Sequence, residues 1–159
     1  MRLAKKGWSE AVRSAVSSGA VTAVATAGSV SLAGARDTGS AVAPINATSH
    51  VAWGESAADF EGIDAKRTGL GMLLNAGACA FWATFYERYF GRAADRGDAG
   101  TALLGGGIVT AAAYVTDYHL VPKRLSPGWE HRLSGRSLAM TYAVLALSLS
   151  LRGLLRKRR

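Results

Sequence analysis

The feature that most constrains this chain is the segregation of its charge. Four blocks of apolar residues run almost without an ionisable side chain: Ser14 to Ala35, Thr68 to Tyr86, Ala99 to Thr116 and Ser137 to Leu151. About 20 such residues, wound as a helix, cross the ~30 Å hydrocarbon core of a bilayer. A water-soluble helix keeps a polar face at a 3.6-residue period, yet Thr68–Tyr86 and Thr101–Thr116 carry no charge on any face. In water all four blocks would need burial on every side, which 159 residues cannot supply. The pattern predicts an all-α, polytopic membrane protein with one membrane domain over residues 1–159. Its spans fall at about 14–35, 68–90, 99–121 and 135–155, with an outer loop over 36–67.

Two blocks need separate argument. The uncharged heart of the fourth would reach only ~22 Å; Gly153, Leu154 and Leu155 extend it, and Arg136 and Arg152 can snorkel to the headgroups. The first follows a basic segment, Met1 to Arg13, and contains Ala33-Gly34-Ala35, a pattern that signal peptidase cleaves. Against cleavage, the basic segment is long, includes Glu10 and leads into a stretch with a single Leu. Retention as a transmembrane helix is the expectation, with a cleaved signal peptide as its alternative.

The net charge of +8 and the pI near 10.2 raise nucleic acid as a partner. The cations, however, sit at the ends of apolar blocks, and Arg156-Lys157-Arg158-Arg159 beside a membrane helix suits anionic lipid at ~1 kcal/mol per cation. Membrane lipid, and no nucleic acid, is the expected partner. A bacterial inner membrane is the expected location, and sidedness follows from cations in short loops. With a cytoplasmic N-terminus that side holds Arg2, Lys5, Lys6, Arg13, Arg88, Arg92, Arg96, Arg152, Arg156, Lys157, Arg158 and Arg159. The other holds only Arg36, Lys66, Arg67, Lys123, Arg124, Arg132 and Arg136. Both termini are thus expected in the cytoplasm, and Trp8, Trp53 and Trp129 are expected at the membrane interfaces.

Close backbone approach and hydrogen bonds, rather than the hydrophobic effect, hold helices together in lipid. Small residues at four-residue spacing permit that approach: Gly19, Ala23 and Ala27 in block one, beside Ser18, Thr22 and Thr26, then Gly105-Gly106-Gly107 and Ala111 in block three, and Ala139, Ala143, Ala146 and Ser150 in block four. Each Gly costs a helix ~1 kcal/mol against Ala, so three in succession point to tight packing or a local kink. Block two carries a polar stripe of Asn75, Cys79, Trp82 and Tyr86 on one face, with Glu87 just beyond. Asn75 in hydrocarbon needs a partner and suits an interhelical seam better than a ligand path. A tight bundle follows, with self-association or another membrane protein as further partners.

The loop holds the segment Val42 to Gly54, apolar enough to lie on the bilayer as an interfacial or re-entrant short helix opened by Pro44, with an ordinary exposed loop as the alternative. There Asn46, His50 and Trp53 would share a face; Asn46-Ala47-Thr48 also matches a glycosylation sequon, of little weight in a bacterial chain. His50, His119 and His131 all fall on the outer side, each close in sequence to an acid: Glu55, Asp117 and Glu130. Imidazole with carboxylate suits zinc, copper or iron. HxxxH, HExxH, CxxC and the phosphate loop GxxxxGK[ST] are all absent, and one cysteine excludes an internal disulfide. No metal or other cofactor is expected. A polar cluster of His50, Asp117 and His119 that holds the loop down is, with Asp117 alternatively paired to Lys123 or Arg124 and Glu130 to Arg132 or Arg136.

Three elements stand out: Ser49-His50-x-x-Trp53-Gly54, Phe81-Trp82-Ala83-x-x-Tyr86-Glu87, and the stretch from Asp117 to Glu130 with its Pro127-Gly128 turn. Together they resemble small four-helix inner-membrane proteins of proteobacteria that have no assigned activity. The resemblance covers Pro44 to about Ser150 and implies an inner-membrane bundle without transferring any catalytic residue. The functional expectation is a non-enzymatic structural or accessory protein. The alternative is a small transporter, channel or metal-handling protein that uses the outer-face His and Asp residues.

Overall fold

The computed structural model describes residues 5–156; Arg2 and the terminal Lys157, Arg158 and Arg159 of the charge count lie outside them. It is an all-α bundle. The long helices are α1 (Trp8–Thr38), α4 (Ala65–Asp95), α5 (Ala99–Val115) and α6 (Gly135–Leu155). Two short ones, α2 (Ala43–Thr48) and α3 (His50–Trp53), lie between α1 and α4. Each long helix, with α5 counted to Leu120, is long and apolar enough to cross a membrane. The four run up and down in sequence, α1 against α4 and α6, and α5 against α4 and α6. One end of the bundle carries the start of α1, the α4–α5 turn and the end of α6. The other carries both long loops.

Side chains are distributed the reverse of a water-soluble bundle. Val16, Val24, Leu32, Leu73, Leu104 and Leu147 all point outward and are more than half exposed, while Thr22, Thr26, Asn75, Thr141 and Ser150 are buried. Outward apolar side chains are satisfied by hydrocarbon, and inward hydroxyls and amides by one another. The chain is a membrane protein.

Helices α1 and α4 are both 31 residues long and extend past their charge-free blocks, because flanking charges such as Glu10 and Arg92 stay helical and pair with one another. Asp64 caps α4 by accepting from the Lys66 and Arg67 backbone N–H groups. Partial desolvation raises its carboxyl pKa, but those bonds and the Arg67 guanidinium outweigh it and hold the group below the usual range.

The seams use small residues. The inward face of α1 is Ala11, Ala15, Gly19, Thr22, Thr26, Val30 and Gly34. A Cβ at Gly19 would lie 2.9 Å from the Ala80 Cα, and one at Gly71 would strike the Ile45 carbonyl of α2. In the glycine run, Gly105 lies under the Phe90 ring, Gly106 abuts Ser150 Oγ and the Ala146 carbonyl, and Gly107 faces open space. Two of the three therefore permit close contact. The expected stripe on α6 is met by Ala146 and Ser150 but not by Ala139 and Ala143, which face outward. Leu145 and Leu149 instead fill the interior, while Thr141 and Ser137 bond to Ser29 and Arg36 of α1.

The loop between α1 and α4 folds down onto the bundle, with α2 against α4 and α1. Asn46 is buried and donates to the Phe60 and Gly62 carbonyls while accepting from Thr68. A sequon Asn in this setting is inaccessible to a glycan. Trp53, in contrast, is exposed beneath Lys66 Nζ, 4.1 Å from the ring centre. The chain turns at Ser49, between α2 and α3, so the face expected to join Asn46, His50 and Trp53 is divided. Trp8 is exposed, whereas Trp129 is not an interfacial side chain. The 3₁₀ turn Trp129–His131 sends its ring inward against Tyr142.

Candidate functional site: an interior cavity at the loop end

Beneath the loops, all four long helices surround a cavity of about 220 Å³. Thr26 comes from α1; Leu74, Asn75, Ala78, Cys79 and Trp82 from α4; Ala113 and Asp117 from the α5 segment; Thr141, Tyr142 and Leu145 from α6. Thr48 and Val51 of the first loop and Leu125, Ser126, Pro127 and Trp129 of the second form its roof. Ala78 and Leu125 are exposed and Leu74 and Trp82 half-exposed, which places the mouth on the α4 side, under the second loop. Toward the opposite end the interior is filled by Ala83, Tyr86, Phe90 and Leu149.

The polar stripe of α4 works in both capacities open to it. Asn75 donates to the Ala23 carbonyl (3.0 Å) and accepts from Thr26 Oγ1 (3.1 Å), which knits α4 to α1. Cys79 Sγ lies 3.5 Å from the same hydroxyl. Both residues also line the cavity.

Asp117 sits where α5 widens into a π-turn over Thr116–Leu120, closed by Val121 N–H on the Thr116 carbonyl. Such turns are rare and frequently mark functional positions. Here the turn carries the carboxylate to the cavity wall, where it accepts a 2.6 Å hydrogen bond from the Tyr142 hydroxyl. No ion pair to Asp117 occurs among the described residues. The expected pairing with Lys123 or Arg124 is therefore absent from the fold. Glu130 takes the Ser126 hydroxyl instead of Arg132 or Arg136, and Arg132 reaches the Ala58 carbonyl, Asp59 and Glu61.

The three residues expected to cluster keep separate partners. His50 is buried, with Nδ1 2.8 Å from the Ala47 carbonyl and Nε2 3.3 Å from the Lys123 carbonyl. It holds the two loops together through backbone groups, and its ring faces His131 at 5.7 Å. His119 is exposed and packs on Tyr114, while Asp117 turns to Tyr142. Both His50 ring nitrogens therefore face backbone carbonyls rather than a carboxylate, and a neutral imidazole donates to one of the two. Among the described residues no three His, Cys, Asp or Glu side chains converge to hold a metal ion.

At the other end lies a constellation that sequence reasoning missed. Glu87 is fully buried and accepts from Lys6 Nζ (2.9 Å) and Arg152 (2.6 Å). Asp95 lies 3.0 Å from Lys6 Nζ and 3.1 Å from Arg152 Nε. Two cations and two carboxylates thus join the segment before α1, α4 and α6. The available signal was that all four fall on the same side in the charge count; counting treats each as a solvated loop charge.

Compared with known families, curated proteins and solved structures, the chain matches none.

Proposed function

We propose that this is a non-enzymatic accessory protein of a bacterial inner membrane that binds a small amphiphile in the loop-end cavity. The observation that carries the reading is the cavity itself: interior space ringed by all four helices, with a half-buried carboxylate on its wall. A bundle whose only task was to pack would fill that volume, since each unfilled pocket sacrifices contacts. The three elements that resemble small proteobacterial inner-membrane proteins all reach this region. The first adds Val51, the second Trp82, and the third Asp117, Leu125, Ser126, Pro127 and Trp129. That convergence supports membership in that group.

The cation count supports cytoplasmic termini, which would turn the cavity toward the periplasmic leaflet. Retention of α1 has its own support, because removing residues up to Ala35 would strip Lys6 from Glu87 and Thr26 from Asn75. Cys79 lies beside Thr26 and Asn75 rather than an imidazole, which favours binding over nucleophilic chemistry. The transporter or metal-handling alternative has less support: His50, Asp117 and His119 have different partners, and packed side chains fill the path below the cavity.

Two measurements test the reading. Thermal stability of the purified full chain in detergent should rise with small amphiphiles, and an Ala113→Leu substitution, which fills the cavity, should abolish the response. If no amphiphile of any charge stabilises the protein, the binding reading fails. Topology reporters fused after Glu61 and Ser126 should read periplasmic and one after Asp95 cytoplasmic; a cytoplasmic reading at Glu61 would overturn the orientation.

A further inference from the structure

We infer that the ligand of this cavity is a small organic ammonium cation; the inference rests on the binding reading above and narrows it to one chemical class. Three independent features of the wall agree. The first is charge. Asp117 is the ionisable carboxylate among the lining residues, it is half-buried, and its partner is a neutral hydroxyl. Glu130, bonded to the Ser126 hydroxyl that also lines the cavity, adds a second negative charge behind the roof. A carboxylate with no internal counter-ion, partly removed from water, attracts a cation more strongly than a solvated one does.

The second feature is aromatic. Trp82, Trp129 and Tyr142 all line the same space, with the Trp129 and Tyr142 ring centres 6.2 Å apart at 65°. Ring faces beside a carboxylate are how proteins bind alkylated ammonium groups, whose charge is diffuse and whose surface is apolar, because the ring quadrupole attracts a desolvated cation. A metal ion would gain little here, because Asp117 is the one carboxylate on the wall, no His lines it, and the Thr26, Asn75, Ser126 and Thr141 groups already have partners within the protein.

The third feature is size and access. A cavity of ~150 Å³ holds one benzene ring, so about 220 Å³ admits a trimethylammonium head with a ring or short chain. The mouth, lined by Leu74, Ala78, Trp82 and Leu125, is apolar. It suits an amphiphile arriving from the bilayer interface, carrying its charge on a lipid headgroup or as a free solute.

The test uses the full-length protein in detergent and two probes of one shape: benzyltrimethylammonium and its neutral carbon isostere, neopentylbenzene. Binding is read from tryptophan fluorescence, since Trp82 and Trp129 line the site, and from thermal shift. The cation should bind at least about tenfold more tightly, a ratio equal to ~1.4 kcal/mol. Asp117→Asn, which can still accept from Tyr142, should abolish that preference while leaving isostere binding unchanged. Trp82→Leu, at the mouth, should weaken the cation more than the isostere. Equal binding of the two probes, or a preference that survives Asp117→Asn, would overturn the cation assignment and leave the cavity reading standing. Failure of both probes to bind would remove both. Repeating the titration in vesicles of phosphatidylglycerol with and without phosphatidylcholine separates the sources. Competition by phosphatidylcholine assigns the ammonium to a lipid headgroup, and unchanged probe affinity assigns it to a free solute.

Discussion

The two ends of the bundle treat buried charge in opposite ways. Around Glu87, two carboxylates and two cations lie within 3.1 Å of one another across the segment before α1, α4 and α6. Around Asp117 one carboxylate faces a hydroxyl, aromatic rings and open space. At the first end each of these four groups has an opposite charge within 3.1 Å, and the neighbouring volume is full, with Gly91 close enough to Glu87 and Lys6 that no side chain fits there. At the second, no cation among the described residues pairs with the carboxylate. A network of mutually paired charges fixes structure; a half-paired group beside a cavity is available for binding.

Substitutions should separate these roles, and the largest effect belongs to the paired end. Glu87→Ala would leave buried Lys6 and half-buried Arg152 with only Asp95 between them. Removing one partner of a buried pair costs about 3–5 kcal/mol, a loss that reversible unfolding in mixed detergent would read directly. A smaller change there would mean that water already reaches the network.

Next comes the packing that holds the two ends in register. Gly106→Leu drives a side chain into Ser150 and the Ala146 carbonyl, whereas Gly107→Leu enters open space. The first should destabilise by about 1–3 kcal/mol and the second should leave the melting temperature unchanged. Equal effects from both would show that the run is tolerated rather than used.

Asn75→Val comes third. It removes the bonds to the Ala23 carbonyl and Thr26 hydroxyl, which in a membrane interior are worth about 0.6–1.7 kcal/mol. The smallest effect on stability is expected at the cavity itself. Asp117→Asn should change the unfolding free energy by less than about 0.5 kcal/mol, because the Tyr142 hydroxyl retains an acceptor and no ion pair is broken. A loss as large as that at Glu87 would erase the contrast and make Asp117 a structural residue.

Much of the architecture was legible before the structure. Charge-free blocks gave four membrane helices, because hydrocarbon forces every backbone group into an internal hydrogen bond and leaves the helix as the solution for a chain of this pattern. The inward strip of α1 was visible as small residues at four-residue spacing, and Asn75 as a polar side chain in need of a partner. On α6 the same rule holds for half of the stripe: Ala146 and Ser150 meet Gly106, whereas Ala139 and Ala143 face outward. Ala139 and Ala143 can pack closely, but Leu145, Leu149 and Tyr142 fill more interior volume and settle the helix rotation.

The candidate site was only half legible. Asp117 and the stripe Asn75–Cys79–Trp82 were singled out, but His50 and His119 were attached to the wrong partners and Trp129 was placed at the interface. Charge separation along the chain, helix periodicity and loop composition are local properties, so the sequence alone determined the number of long membrane helices and the end at which each loop lies. Which side chains meet depends on helix rotation, on how the roof loops fold down, and on which carbonyls remain free to accept. Those are settled by packing between segments far apart in the chain. Only the tertiary structure could therefore bring Lys6, Glu87 and Arg152 into one pair network and leave Asp117 facing a cavity walled by tryptophan and tyrosine.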